Sequence, residues 1–199
     1  MAAAAVAVLA LTGCVAGNSD SASTVEPTPA PAQSSSVPAS SPTSPAPGDG
    51  AAPSSAAFGS CDTLLPAEAV TTFGAGLVPD SSFVPELGSY AAEIVSFGGI
   101  GCSWTDTTTG DTLTLAVAQP SKDELTTAET ALGGGAGTAT DVFGSDIQAY
   151  TADGGGTFTG DIEVFTPVGF WISTVSPLYT SAATAQPIVS SVLQALPAG

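Results

Sequence analysis

The pattern of apolar and polar positions divides the chain into three stretches. Ala2 to Leu11 is a short apolar run without a charge. Val15 to Ala57 is a tract of Ser, Pro, Ala and Thr with no apolar periodicity. From about Phe58 onward, periodic segments alternate with Gly- and Pro-rich breaks. The first of these, Cys61 to Gly74, predicts a short helix with Pro66 near its first position, Glu68 in its first turn and Gly74 at its end. Leu65, Ala69, Val70 and Phe73 fall on one face of it. Ala75 to Ser89 reads as loop, and Glu93 to Phe97 as a strand. Cys102, Trp104 and Asp106 alternate with Ser103 and Thr105. Leu113, Leu115 and Val117 alternate with Thr112, Thr114 and Ala116. Joined by a turn at Thr107 to Gly110, the two segments predict a β-hairpin with one wet face.

Ser121-Lys-Asp-Glu124 is a capping box that opens a helix running to about Leu132, where Gly133-Gly-Gly stops it. Gly133 to Asp146 reads as loop. Ile147 to Thr151, Thr157 to Thr166 and Phe170 to Val175 read as strands, the second without strict alternation and with Gly160 as a bulge site. Ser181 to Leu196 predicts a last helix, which Pro187 either starts or kinks. Short links between strands favour antiparallel pairing. The expected fold is therefore α+β: a mostly antiparallel sheet of about five strands, with helices packed on one face.

The apolar run closes on Leu11-Thr12-Gly13-Cys14, the pattern of a bacterial lipoprotein signal. In that pattern the Cys sulfur takes a diacylglycerol and the signal is cut just before it. The run is too short to span a bilayer, which takes about 20 residues, and has signal-peptide proportions. Such a signal opens on Lys or Arg, whereas the single basic residue of the chain is Lys122; the basic segment is expected upstream of Met1. Residues 1–13 are thus read as signal and Cys14 as the lipidated N-terminus. Residues 14–58 are read as a disordered tether, about 3.1 Å per residue where its prolines hold it extended. Residues 59–199 are read as one extracytoplasmic domain, which places the protein on the outer face of the cytoplasmic membrane. Two acyl chains, each contributing about 0.8 kcal/mol per buried methylene, suffice for stable anchoring.

Charge narrows the partners. The 199 residues hold 18 Asp and Glu against one Lys and no His, for a net charge of −17. Nucleic acid is excluded as a partner because phosphate neutralisation needs Lys and Arg. Lying flat on an anionic membrane is disfavoured for the same reason. With Cys14 assigned to lipid, Cys61 and Cys102 remain as an even pair, which in a secreted chain reads as a disulfide. A zinc site lacks ligands, since no imidazole exists to complete one; no metal or cofactor is expected.

At Cys61-Asp-Thr-Leu-Leu-Pro-Ala-Glu-Ala and Gly101-Cys-Ser-Trp the chain resembles a group of actinobacterial cell-surface lipoproteins of unknown function. These share a lipobox, a Ser/Pro-rich tether, a Cys-x-x-Leu-Leu helix start and a later Cys-x-Trp strand. The resemblance implies a Cys61–Cys102 disulfide and a small α+β domain outside the cell. It brings no catalytic residues with it.

Catalytic constellations are sparse. Ser/His/Asp and Cys/His arrangements fail for want of histidine. Lys122, beside Asp123 and Glu124 on an exposed helix, is a poor base. Asp161 and Glu163 point to one strand face and Asp106 and Asp111 flank a turn, but acids are abundant here, so such pairs arise by chance. The glycine runs lack a following Lys and the strand–helix context of a phosphate loop. Trp104 and Trp171 read first as core aromatics and second as a ligand platform. The expectation is a non-enzymatic, lipid-anchored domain that binds a protein, lipid or cell-wall component. The alternatives are an accessory subunit of a membrane or wall complex and, remotely, a hydrolase using carboxylates alone. A cavity lined by Trp104 or Trp171 would favour the first. An extended apolar patch would favour the second, and a cleft with two acids of raised pKa the third.

Overall fold

The computed structural model describes residues 58–153 and 155–197. Cys14, the apolar run and the Ser/Pro-rich tract lie outside the described residues. The domain is α+β, as the pattern predicts. Its single antiparallel sheet has seven strands rather than five: β1 (Leu77–Pro79), β2 (Ile100–Asp106), β3 (Thr112–Ala118), β4 (Thr138–Thr140), β5 (Gln148–Thr151), β6 (Asp161–Phe165) and β7 (Trp171–Val175). The spatial order is β1-β2-β3-β7-β6-β5-β4. Two meanders, β1 to β3 and β4 to β7, therefore meet along the central β3–β7 pair. The two unforeseen strands, β1 and β4, are three-residue edge strands inside stretches that read as loop. Strands so short carry almost no alternation; pairing with a longer neighbour makes them.

Five α-helices surround the sheet among the described residues: α1 (Cys61–Leu64), α2 (Ala67–Phe73), α3 (Tyr90–Ser96), α4 (Lys122–Ala131) and α5 (Gln186–Ala195). They lie on both faces, which corrects the expectation of one. Leu64, Leu65, Val70, Ile188, Val189 and Val192 from α1, its C-cap, α2 and α5 join Cys102, Trp104, Leu113, Leu115, Ile162 and Ile172 in one core. Ala91 and Ile94 of α3 and Ala128 of α4, with Leu132 just after it, join Ala116, Ala118, Phe165 and Trp171 in a second core on the opposite face. That second face is built from small residues on its near strands: Gly101, Ala116, Ala118 and Ser173. Small and hydroxylated residues alternating with Leu and Val look like a wet face. Here they let α3 approach the sheet closely.

Local sequence explains the course of the helices. The first helix is broken at Leu65, which takes an extended conformation (φ −135°, ψ 92°). The residue before a proline is pushed out of the helical region, and Pro66 follows. The segment read as a strand at Glu93 to Phe97 belongs to α3. Ser89 caps it, its Oγ accepting the Ala92 N–H at 3.1 Å, and Ala91 and Ile94 face the sheet. The β-branched Ile94-Val95 pair masked this short helix. The capping box at Ser121 forms as expected: the Ser121 N–H donates to Glu124 Oε2 at 2.8 Å, and the Glu124 N–H donates to Ser121 Oγ at 3.4 Å. Pro187 sits in the first turn of α5 and so starts its body rather than kinking it.

The disulfide expected between Cys61 and Cys102 is present, with the two Cα atoms 5.7 Å apart and 41 residues of sequence separation. It ties α1 to the middle of β2.

Candidate functional site

Register assembles a polar patch on the small-residue face. Pairing puts Gly101 opposite Ala116, Ala116 opposite Ser173, and Ser173 opposite Glu163. The adjacent row runs Ser103, Thr114, Val175, Asp161. Helix α3 covers the first row. Beside it a pocket of about 270 Å³ opens between the 83–91 segment and the sheet. Its floor is Thr114, Asp161, Ser173 and Val175; its walls include Phe83, Val84, Pro85, Glu86 and Tyr90.

The wall segment is fastened down. The Asp80 N–H donates to Ser103 O at 2.8 Å. Asp80 Oδ1 accepts the N–H and the hydroxyl of Ser82 at 2.9 and 2.6 Å. These bonds hold the Asp80 carboxyl below its ordinary value. At the far end the Ser89 hydroxyl donates to Glu86 O at 2.7 Å while capping α3. A side chain at Gly101 would meet Phe83 and Pro85 at 3.4 Å, so glycine there lets the segment rest on β2.

Behind the floor lies Glu163, fully buried. Its Oε2 accepts the Trp171 indole N–H at 2.5 Å, and its Oε1 accepts the Ser173 hydroxyl at 2.6 Å. Trp171 stacks on Phe165 at 5.4 Å and meets the rings of Tyr90 and Phe97 at 6.0 and 6.2 Å. In such surroundings a carboxylate is costly. Burial, with the Asp161 charge next to it, pushes the Glu163 carboxyl well above its ordinary range. Burial also raises Asp161, and hydrogen bonding from Glu163 pulls it down. Asp161 Oδ1 is buried without a hydrogen-bond partner. A proton on Glu163, the more strongly raised of the two, relieves the repulsion between the neighbouring carboxyls. The pair then carries one negative charge, held on Asp161, the member that lines the pocket. Burial and the same two acids raise the Tyr90 hydroxyl, so the ring lining the pocket is neutral.

The residues singled out in the sequence are distributed as follows. Asp161 and Glu163 share a strand face, as their spacing predicts. Trp104 and Trp171 lie on opposite faces of the sheet, 2% and 0% exposed. Trp104 touches a small recess of about 60 Å³ with Asp62 and Leu77. Trp171 enters the site as a hydrogen-bond donor beneath the pocket and not as a surface platform. Cys61 and Cys102 form their disulfide on the other face. Cys14 lies outside the described residues. Asp106 Oδ1 accepts the N–H groups of Thr108 and Thr109 in the turn of the hairpin. Lys122 is exposed on α4 and does not line the pocket. No group of three or more His, Cys, Asp or Glu among the described residues is placed to hold a metal ion. Tyr90, Thr114 and Ser173 were not singled out by the sequence pattern. The available signal was a hydroxyl and two acids at inward positions of strands otherwise built from Trp, Ile, Val and Phe.

No family model, curated protein or solved structure matches this chain.

Proposed function

We propose that the chain is a lipid-anchored cell-surface protein, held at the outer face of the cytoplasmic membrane through Cys14. Its α+β domain is a non-catalytic binding module, and its ligand site is the pocket floored by Asp161. The lipobox, the Pro-rich tether and the resemblance to actinobacterial surface lipoproteins support the anchor. The observation that carries the binding reading is the pocket itself. It is preformed, walled largely by apolar side chains and given a single charged group at its floor, the usual design of a small-molecule site. Its volume of about 270 Å³ suits a small ligand or one end of a larger one.

A carboxylate hydrolase is the competing reading, because two acids of raised pKa do stand at a cleft. Their arrangement argues against it. Glycoside hydrolysis needs two carboxyls about 5–10 Å apart with the scissile bond between them. Here they are neighbours two residues apart on one face of a single strand. Glu163 is sealed from solvent, and both of its oxygens are engaged by Trp171 and Ser173. Only Asp161 can reach a ligand. An accessory-subunit role would draw on an extended apolar patch. Among the described residues the large exposed apolar side chains are Val78, Val84, Leu87, Val95 and Val168, of which Val84 and Leu87 belong to the segment that walls the pocket.

The test is a panel of neutral, anionic and cationic fragments added to the isotope-labelled full chain and followed by NMR. The proposal expects at least one chemical class to shift Tyr90, Thr114 and Ser173 together. Shifts confined to other surfaces, or none with any class, would remove this pocket as the ligand site.

A further inference from the structure

Asp161 presents a charge for which the described residues supply no counter-ion. The sequence holds one Lys, no Arg and no His, and Lys122 does not line the pocket. The other titratable groups at Asp161 and its pocket are Glu163 beside it on β6, Tyr90 on α3 with Glu93 near it, and Glu86 on the pocket wall. All are acidic or neutral. A half-buried carboxylate without a cation is unfavourable, and a cation bound from outside relieves that cost. The walls decide what kind of cation. Phe83, Val84, Pro85 and the ring of Tyr90 offer apolar and π surface rather than a set of oxygen ligands. A small inorganic cation wants about six or more oxygens, and both oxygens of Glu163 are already engaged. An ammonium group on an apolar body fits both halves of the site. The charge meets Asp161, the hydroxyls of Thr114 and Ser173 stand beside it, and the body lies against the rings.

We propose that this pocket binds an organic cation, an amine carried on a small apolar or aromatic body, with Asp161 as its anchor. The proposal rests on the reading of this pocket as the ligand site and adds the chemistry of the ligand. Two sources carry that chemistry, a free amine and the headgroup of an aminophospholipid.

The experiment uses the full chain carrying Cys14→Ser, so that acyl chains do not bring it to vesicles. Phenethylamine, phenethyl alcohol, hydrocinnamate and calcium chloride are titrated by calorimetry, with NMR detection of the two tryptophan indole N–H signals. Phenethylamine should bind and move the Trp171 signal while leaving that of Trp104 in place. The alcohol and the carboxylate should bind at least about tenfold more weakly, the value of a hydrogen bond to a charged group. Asp161→Asn should abolish the preference, leaving amine and alcohol equal, in a protein that still unfolds cooperatively. Sedimentation with phosphatidylethanolamine vesicles, competed by phenethylamine, would assign the lipid source; its absence beside amine binding assigns the free one. Equal binding of amine and alcohol by the wild-type residue at position 161 would overturn the ammonium inference and leave the pocket standing. So would displacement of the amine by calcium. If no probe moves Trp171 or the pocket residues, the pocket reading falls as well.

Discussion

At the scale of single residues, Glu163 decides most. It is a fully buried carboxyl bonded to Trp171 and Ser173, next to the cluster of Trp171, Phe165, Tyr90 and Phe97, and burial raises it well above its ordinary range. The unfolded chain releases this proton near the ordinary value of 4.5, whereas the folded chain retains it to higher pH. The contribution to stability is therefore fully present below that pH and is lost as pH rises toward the folded value. Asp80 and Asp153 act in the opposite sense: their hydrogen bonds lower them from 3.8, so what they add is lost only in stronger acid. Melting temperature should thus peak in mild acid and decline toward alkaline pH. Glu163→Gln keeps the shape and offers an N–H to Asp161, so it should flatten that decline while the acid limb persists. Thermal unfolding of both proteins from about pH 3 to 9 checks this; an equal alkaline decline in the variant would assign it instead to general repulsion among the acids. Glu163→Ala, which leaves Trp171 and Ser173 without an acceptor and a cavity behind, should cost about 3 kcal/mol.

At the scale of elements, the cross-link and the caps show how local patterns reached the fold. The hairpin of β2 and β3, the box that opens α4 and the Cys61–Cys102 pair were all legible, because each has a chemical signature in the sequence, whereas Pro187 left two courses open for the last helix. The α3 helix was not legible. Its seven residues give two turns of pattern, and Ile94-Val95 favours a strand on propensity alone; Ser89 and contact with the sheet decide the matter. The edge strands β1 and β4 were hidden because they exist only by pairing with β2 and β5. Strands β6 and β7 lacked clean alternation because helices cover both faces, so Phe165 and Trp171 point one way while Ile162, Val164 and Ile172 point the other. The site was half visible: Asp161 and Glu163 declared themselves by spacing, whereas Ser173, Thr114 and Tyr90 join them only through register and the packing of α3. The disulfide belongs to this scale too. Closing a 41-residue separation should contribute about 4 kcal/mol by constraining the unfolded chain. Denaturant unfolding of the Cys61→Ser, Cys102→Ser double variant should show a loss of that order. An unchanged midpoint would mean that the link between α1 and β2 adds nothing.

At the scale of the whole molecule, the proposed arrangement is an anchor and a spacer carrying a module with a charged pocket. The chain's net charge of −17, most of it carried by residues after 58, favours solubility and disfavours contact with anionic lipid. A tether suits that arrangement, since it lets the module work away from the surface that holds it. Replacing the proposed lipid acceptor, Cys14→Ser, should move the protein from the membrane to the soluble fraction without changing its melting temperature. A variant that stayed with the membrane would remove the anchor. The module's own role depends on a narrower point: one negative charge, on Asp161, at the pocket floor above a neutral Glu163. The most direct measurement is carboxyl carbon NMR of these two residues at neutral pH, with and without phenethylamine. A protonated Glu163 and an ionised Asp161 are expected, with the amine shifting chiefly the latter. An ionised Glu163 beside a protonated Asp161, or two carboxyls that both ignore the amine, would contradict the proposed role.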